Sequence, residues 1–256
     1  MNSSSDATDS DAESDTEVAR GGRAAAILIG VAAHDLRTPL SAMSGWLQIL
    51  RSSAELPVAT RDRAFKGLQM AMAQQIALAD GLATMAALQS GDLVAETGSV
   101  DMLAVINTAA SALQEEAGTR LVTLQAQAQE VDVRIESDAN LAAMMVRHLL
   151  GAALKFAAKN SSLSIAANMT AGRGCEIRID LAQSLLPGTG IETLLQYVRG
   201  LAGEKPGGAG AAFALSLTQY IAQVLGGSVH AGAGAGGQQV VLTARLPARP
   251  GGPLSA

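Results

Sequence analysis

Residues 20 to 52 read RGGRAAAILIGVAAHDLRTPLSAMSGWLQILRS, and the spacing of their apolar side chains decides how the chain begins to fold. Ile29, Ala33, Leu36, Leu40, Met43, Leu47 and Leu50 recur in alternating steps of four and three. That is the seven-residue repeat of a helix that buries one stripe against other helices. The segment Ser53 to Thr60, which contains Pro57, interrupts it. A second helical run then passes through Phe65, Leu68, Met72, Ile76, Leu82 and Met85 to about Gln89. The two runs predict a helical hairpin. One hairpin alone leaves an apolar face in water, so pairing with a second copy into a four-helix bundle is the economical way to cover it.

Past Ser90-Gly91-Asp92 the pattern changes to mixed elements. Helices are expected over Val100 to Ala117 and Asn140 to Ala158, and strands over Leu121 to Gln127, Val131 to Ile135, Leu163 to Met169 and Cys175 to Leu181. A glycine-rich region, Pro187 to Ala212, is interrupted by an apolar helix at Ile191 to Val198. A helix at Phe213 to Leu225 and strands at Ser228 to Ala231 and Gln239 to Leu246 complete the series. Irregular alternation of this kind predicts an α+β chain, with an α/β sandwich following the helical hairpin. The expected organisation is a disordered acidic tail over residues 1 to 19, a helical domain over 20 to 92, a sandwich domain over 93 to 247, and a disordered tail over 248 to 256.

The composition narrows the partners. A formal net charge of -5 gives no general attraction to nucleic acid or to an anionic membrane, both of which select basic surfaces. The apolar stretch Ala24 to Ala33 is far short of the roughly twenty residues a membrane span needs. A signal peptide would need a basic region ahead of that stretch, whereas Met1 to Glu17 is a Ser, Asp and Glu tail with almost no apolar content. The single cysteine, Cys175, cannot form an internal disulfide, and with three histidines it cannot supply a zinc site of the usual spacing. The chain reads as cytoplasmic and without a resident metal.

The segment His34-Asp35-Leu36-Arg37-Thr38-Pro39-Leu40 carries the chemistry. His34 stands beside the seam residues Ala33 and Leu36, so it flanks the buried stripe and its imidazole should face solvent. A neutral imidazole nitrogen is a nucleophile that can accept a phosphoryl group and release it again. A lone histidine here would read as an ordinary surface residue, but the whole heptapeptide resembles the phosphoacceptor box of the two-component histidine kinases. The resemblance implies that His34 carries the phosphoryl group. Asp35 then orients the ring and accepts its proton. Thr38, one turn later on the same face, holds a water in line with a phosphoaspartate on a partner. Pro39 bends the helix at the site.

Val100 to Pro247 resembles the ATPase-like domain of the same family, in a degenerate form. Asp138 to Phe156 has the shape of its asparagine-containing box, with Leu149-Leu150 and Ala153-Leu154-Lys155-Phe156 in matching places. His148 takes the first polar position. The magnesium-binding asparagine falls on Ala152, whose methyl offers no oxygen to a hard cation. The loop Leu186-Pro187-Gly188-Thr189-Gly190-Ile191 resembles the motif whose aspartate reads the adenine amino group, but Leu186 cannot accept that bond. Gly207-Gly208-Ala209-Gly210-Ala211-Ala212 keeps the first glycines of the phosphate-lid motif, and Ala212 replaces a later one. The resemblance thus implies a remnant nucleotide site at Lys155, Gly188, Gly190, Gly208 and Gly210, with ATP and magnesium disfavoured. The glycines read equally as flexible turns, and Lys155 as a solvated charge.

Three functions are open on this reading: phosphotransfer and phosphatase action through His34 without ATP, a working histidine kinase with an atypical ATP site, and a non-catalytic pseudokinase scaffold. The partners implied are a second copy, a response-regulator receiver domain and an upstream hybrid kinase. The seven-residue repeat predicts that light scattering at micromolar concentration gives a mass near twice 25.9 kDa. Leu40→Asp or Leu47→Asp should return the mass of one chain, and a monomeric parent protein would defeat the bundle argument.

Overall fold

In the computed structural model of this chain the described residues are 36–37, 39–52, 56–90, 95–127, 130, 132–172, 174–185, 190–191, 193–196, 208–234 and 239–249. The predicted N-terminal tail lies outside them. The chain divides into two compact units, the first ending at Gln75 and the second beginning at Ile76, within one long helix.

The first unit holds helix α1, residues 39–51, and the start of α2, Val58–Ser90. Leu36 and Arg37 are also helical. The hydroxyl of Ser41 donates to the Arg37 carbonyl at 2.9 Å, one turn back. The only tryptophan, Trp46, lays its indole over Gly67 of α2, where a Cβ would collide with the ring. Glycine there lets the two backbones approach with the indole between them. Along α2 the buried apolar residues are Ala64, Ala71, Leu78 and Met85, each seven after the last, whereas Phe65, Met72 and Ile76 are exposed. Of the expected run, Met85 is buried and Leu68 and Leu82 are half-buried, while Phe65, Met72 and Ile76 stand exposed in the single chain. Within the first unit small alanines are the buried residues of α2, and Phe65 and Met72 stand beside them on an open face.

The second unit contains β1 (Thr97–Asp101), α3 (Met102–Thr119), β2 (Thr123–Gln127), β3 (Arg134–Asp138), α4 (Ala139–Phe156), β4 (Ser162–Met169), β5 (Cys175–Leu181), a short helix α5 at residues 193–196, α6 (Gly208–Val224), β6 (Ser228–Ala233) and β7 (Val240–Leu246). Strands β1 and β3 form an antiparallel pair with Val100 opposite Ile135. The other five form a mixed sheet in the order β2-β4-β5-β7-β6, in which only β2 and β4 run parallel. Alternation along these strands sorts the side chains. Leu163, Leu181 and Val240 align in one buried row, and Ile165, Ile179 and Leu242 in the next. The opposite face carries Glu176, Arg178, Asp180 and Arg245, paired as Arg178 with Asp180 and Arg245 with Glu176. Helices α3, α4 and α6 cover the apolar face.

Strand β1 is absent from the sequence reading, which starts a helix at Val100. Thr97–Asp101 has one buried side chain and no apolar alternation, so only its pairing with β3 makes it a strand. The helix waits until Met102 because Asp101 caps it, accepting from the amides of Leu103 and Ala104. Helix α6 begins earlier than expected and takes in Gly208 and Gly210, read as loop. It ends on Gly226 at φ 75, with Gly227 N–H donating to the Ala222 carbonyl and Gly226 N–H to that of Gln223. This double closure needs a left-handed residue after the helix. A Cβ on Gly227 would strike the Arg245 carbonyl, so the turn can lie directly against β7. Gly81 of α2 likewise admits Phe213 and Leu217 of α6. Cys175 is buried in the sheet, and burial, with Glu130 and Glu176 nearby, pushes its thiol up to about 12, which keeps it inert.

Asp138 joins three pieces of this unit. Its Oδ1 accepts from the Asn140 and Leu141 amides, both at 2.9 Å, and its Oδ2 accepts from Glu96 N–H at 2.8 Å. Asp138→Ala removes an N-cap and leaves a third amide without its carboxylate, and should cost roughly 2 to 3 kcal/mol in urea unfolding. Asp138→Asn keeps the cap oxygen and should cost less. Equal stability of Asp138→Ala and the parent protein would contradict this role.

Candidate functional site

Of the phosphoacceptor heptapeptide, His34, Asp35 and Thr38 lie outside the described residues. Its described members are helical at Leu36, Arg37, Pro39 and Leu40, with Pro39 buried and Leu40 exposed. Proline has no N–H to donate inside a helix and its ring presses on the preceding turn. The Ser41 hydroxyl supplies a side-chain bond to a carbonyl in this stretch.

The remnants expected of a nucleotide site are arranged by α4 and α6. Helix α4 is set by its Asp138 cap and buries Leu141, Ala142, Met145, Val146, Leu149, Leu150, Ala153 and Leu154. Ala152 belongs to the same packed surface and is 1% exposed. Its side chain ends in a methyl group, and a cation at that position would meet no ligand from it. Lys155 falls in the last turn of α4, where a positive charge complements the helix dipole. Its Nζ lies 3.0 Å from where a Cβ of Gly210 would stand, so two residues from separate motifs meet, and the bare glycine admits the ammonium to the first turn of α6. Gly208 begins α6, and Gly190 faces open space. Gly188 and Leu186 lie outside the described residues.

His148 is largely buried, and its Nε2 is inaccessible with no hydrogen-bond partner. Burial first, then the positive charges of Arg147 and Lys155, lower its pKa from 6.5 to about 4. The ring is therefore neutral at physiological pH and is no acid there. Among the described residues no helix is long and apolar enough to cross a membrane, and no three His, Cys, Asp or Glu side chains cluster as a metal site.

No family model matches the sequence, and no curated protein matches it. Solved structures do match by shape. Histidine kinase AdeS of Acinetobacter baumannii superposes with a TM-score of 0.58 at 16% identity, over 84% of this chain and 97% of that one. Histidine kinase ThkA, solved in complex with the response regulator TrrA, gives 0.62 at 15% identity, over 93% of this chain and 66% of that one. Full-length ShkA, solved with AMPPNP, gives 0.58 at 13% identity, over 90% and 46%. The chain has the fold of the two-component histidine kinases, including their ATPase-like domain. At these identities the likeness is one of fold, and the roles of individual residues rest on their own chemistry.

The neutral state of His148 has a measurable consequence. Its folded pKa lies below the unfolded one, so the unfolded chain takes up the proton first, and the stabilisation is complete above pH 6.5 and is lost as pH falls toward 4. Between pH 7.5 and pH 5 the loss should be about 2 kcal/mol. The comparison is denaturant unfolding of the parent protein against His148→Gln, whose stability should change less over that interval. Parallel pH profiles would show that His148 does not titrate on unfolding.

Proposed function

We propose that this chain is a two-component phosphotransfer protein that exchanges phosphoryl groups between His34 and the aspartate of a receiver domain, and that it also hydrolyses the receiver's phosphate. The observation that carries the reading is the heptapeptide His34 to Leu40 at the head of a chain with the histidine-kinase fold. A neutral His34 nitrogen attacks phosphorus, the nitrogen–phosphorus bond forms, and the aspartate leaves as a free carboxylate. Asp35 orients the ring and takes its proton. In hydrolysis the attacking oxygen belongs to a water aligned by Thr38. Such in-line transfer depends chiefly on positioning. The supply of phosphate is a response regulator or an upstream hybrid kinase, and a second copy completes the helical bundle.

ATP is not the phosphate source on this reading. Ala152 and Leu186 stand where magnesium ligation and adenine recognition would be, and the two losses remove different parts of nucleotide binding. A second reading, an autokinase with an atypical ATP site, has one observation in its favour, the approach of Lys155 to Gly210. Magnesium-ATP calorimetry separates the two, because micromolar affinity, or label passing from ATP to His34, belongs to the second alone.

Incubation with a phosphorylated receiver should move label to this chain, and His34→Ala should abolish that transfer. Thr38→Ala should slow loss of the receiver's phosphate more than it slows transfer, since only hydrolysis needs an aligned water. If His34→Ala leaves transfer and dephosphorylation unchanged in an intact dimer, the chain acts as a scaffold and the catalytic assignment is wrong.

A further inference from the structure

Along α2 the residues Ala64, Leu68, Ala71, Gln75, Leu78, Leu82 and Met85 follow one another in steps of four and three. They make one stripe of the helix, apolar except at Gln75. The Oε1 of Gln75 is buried and has no hydrogen-bond partner. A carboxamide oxygen removed from water without a bond is destabilising, and leucine at this position would complete the stripe without that cost.

Gln75 stands where two faces of α2 meet. On a regular helix it lies roughly 40° from Ala71 and roughly 60° from Met72. Ala71 is buried and Met72 is exposed. The exposed face carries Val58, Phe65 and Met72 at seven-residue intervals and Ile76 four further on, and α1 exposes Leu40 and Leu47 seven apart. A face with that period is best matched by a helix of the same period, which a second copy of this chain supplies. The amide group is self-complementary, because its Nε2–H donates and its Oε1 accepts. Two such groups brought together across a two-fold axis satisfy each other, and any other register sets the amide against an apolar side chain.

We propose that Gln75 is the polar register residue of the interface between two copies of this chain, its half-exposed side chain turning to pair with the same residue of the second copy. This rests on the dimer proposed above. A single polar position in an apolar seam lowers affinity and in exchange selects one alignment and one oligomeric state.

The test uses the full chain carrying Cys175→Ala, so that an introduced thiol is the only one. Gln75→Cys should be joined into a covalent dimer by a short bis-maleimide, and Met70→Cys, on the far side of α2, should not. Separately, Gln75→Leu should tighten self-association about tenfold and yield more than one species by light scattering. A monomeric parent protein would remove the dimer and this assignment together. A dimeric parent in which Gln75→Cys links no better than Met70→Cys, or in which Gln75→Leu leaves both affinity and species unchanged, would overturn the assignment alone and leave the dimer standing.

Discussion

The carboxylate of Asp138 is the constraint on which the second unit depends. It ends β3, caps α4, and holds the chain just ahead of β1 through the Glu96 amide. Helix starts leave backbone donors unpaired, and a charged acceptor there is stronger than a neutral one. By satisfying three amides from two directions, this side chain sets where α4 begins and hence the rotation of everything along it. His148, Ala152 and Lys155 all lie on α4.

That rotation has chemical consequences. It turns Ala152 into the packed interior, brings the Nζ of Lys155 to Gly210, and holds a histidine ring with one nitrogen shut off from water. Ala152 serves packing through its methyl group. Helix α4 is the packed centre of the α/β layer, covered by α3 and α6 and resting on the sheet. Stability and nucleotide use are separable in this architecture, so the proposed assignment of phosphate chemistry to His34 asks nothing further of the packing around α4.

The first unit follows a different rule, that of surface left over. Alanines at Ala64 and Ala71 and the bare backbone at Gly67 let the helices come close, with Trp46 filling the space. The large apolar side chains are consequently displaced to a neighbouring face. The carboxamide oxygen of Gln75, buried without a partner, lies beside that face, and the seven-residue repeat runs along it.

Within the described residues periodicity alone located α2, α3, α4 and most strands, because a stripe or an alternation is written in the order of residues and needs no partner to be seen. The bounds of β5 and the presence of α4 were legible for that reason, as was the heptapeptide around His34, whose specificity lies in adjacent residues. Strand β1 was not legible, since Thr97–Asp101 has no apolar alternation and is extended only because β3 lies beside it. The start of α6 was hidden by glycines that read as loop until α4 packed against them. Which stripe of α2 is buried, where Ala152 points, and that the Gln75 oxygen has no partner were decided by tertiary structure, because burial is a property of what approaches a side chain and not of the side chain itself.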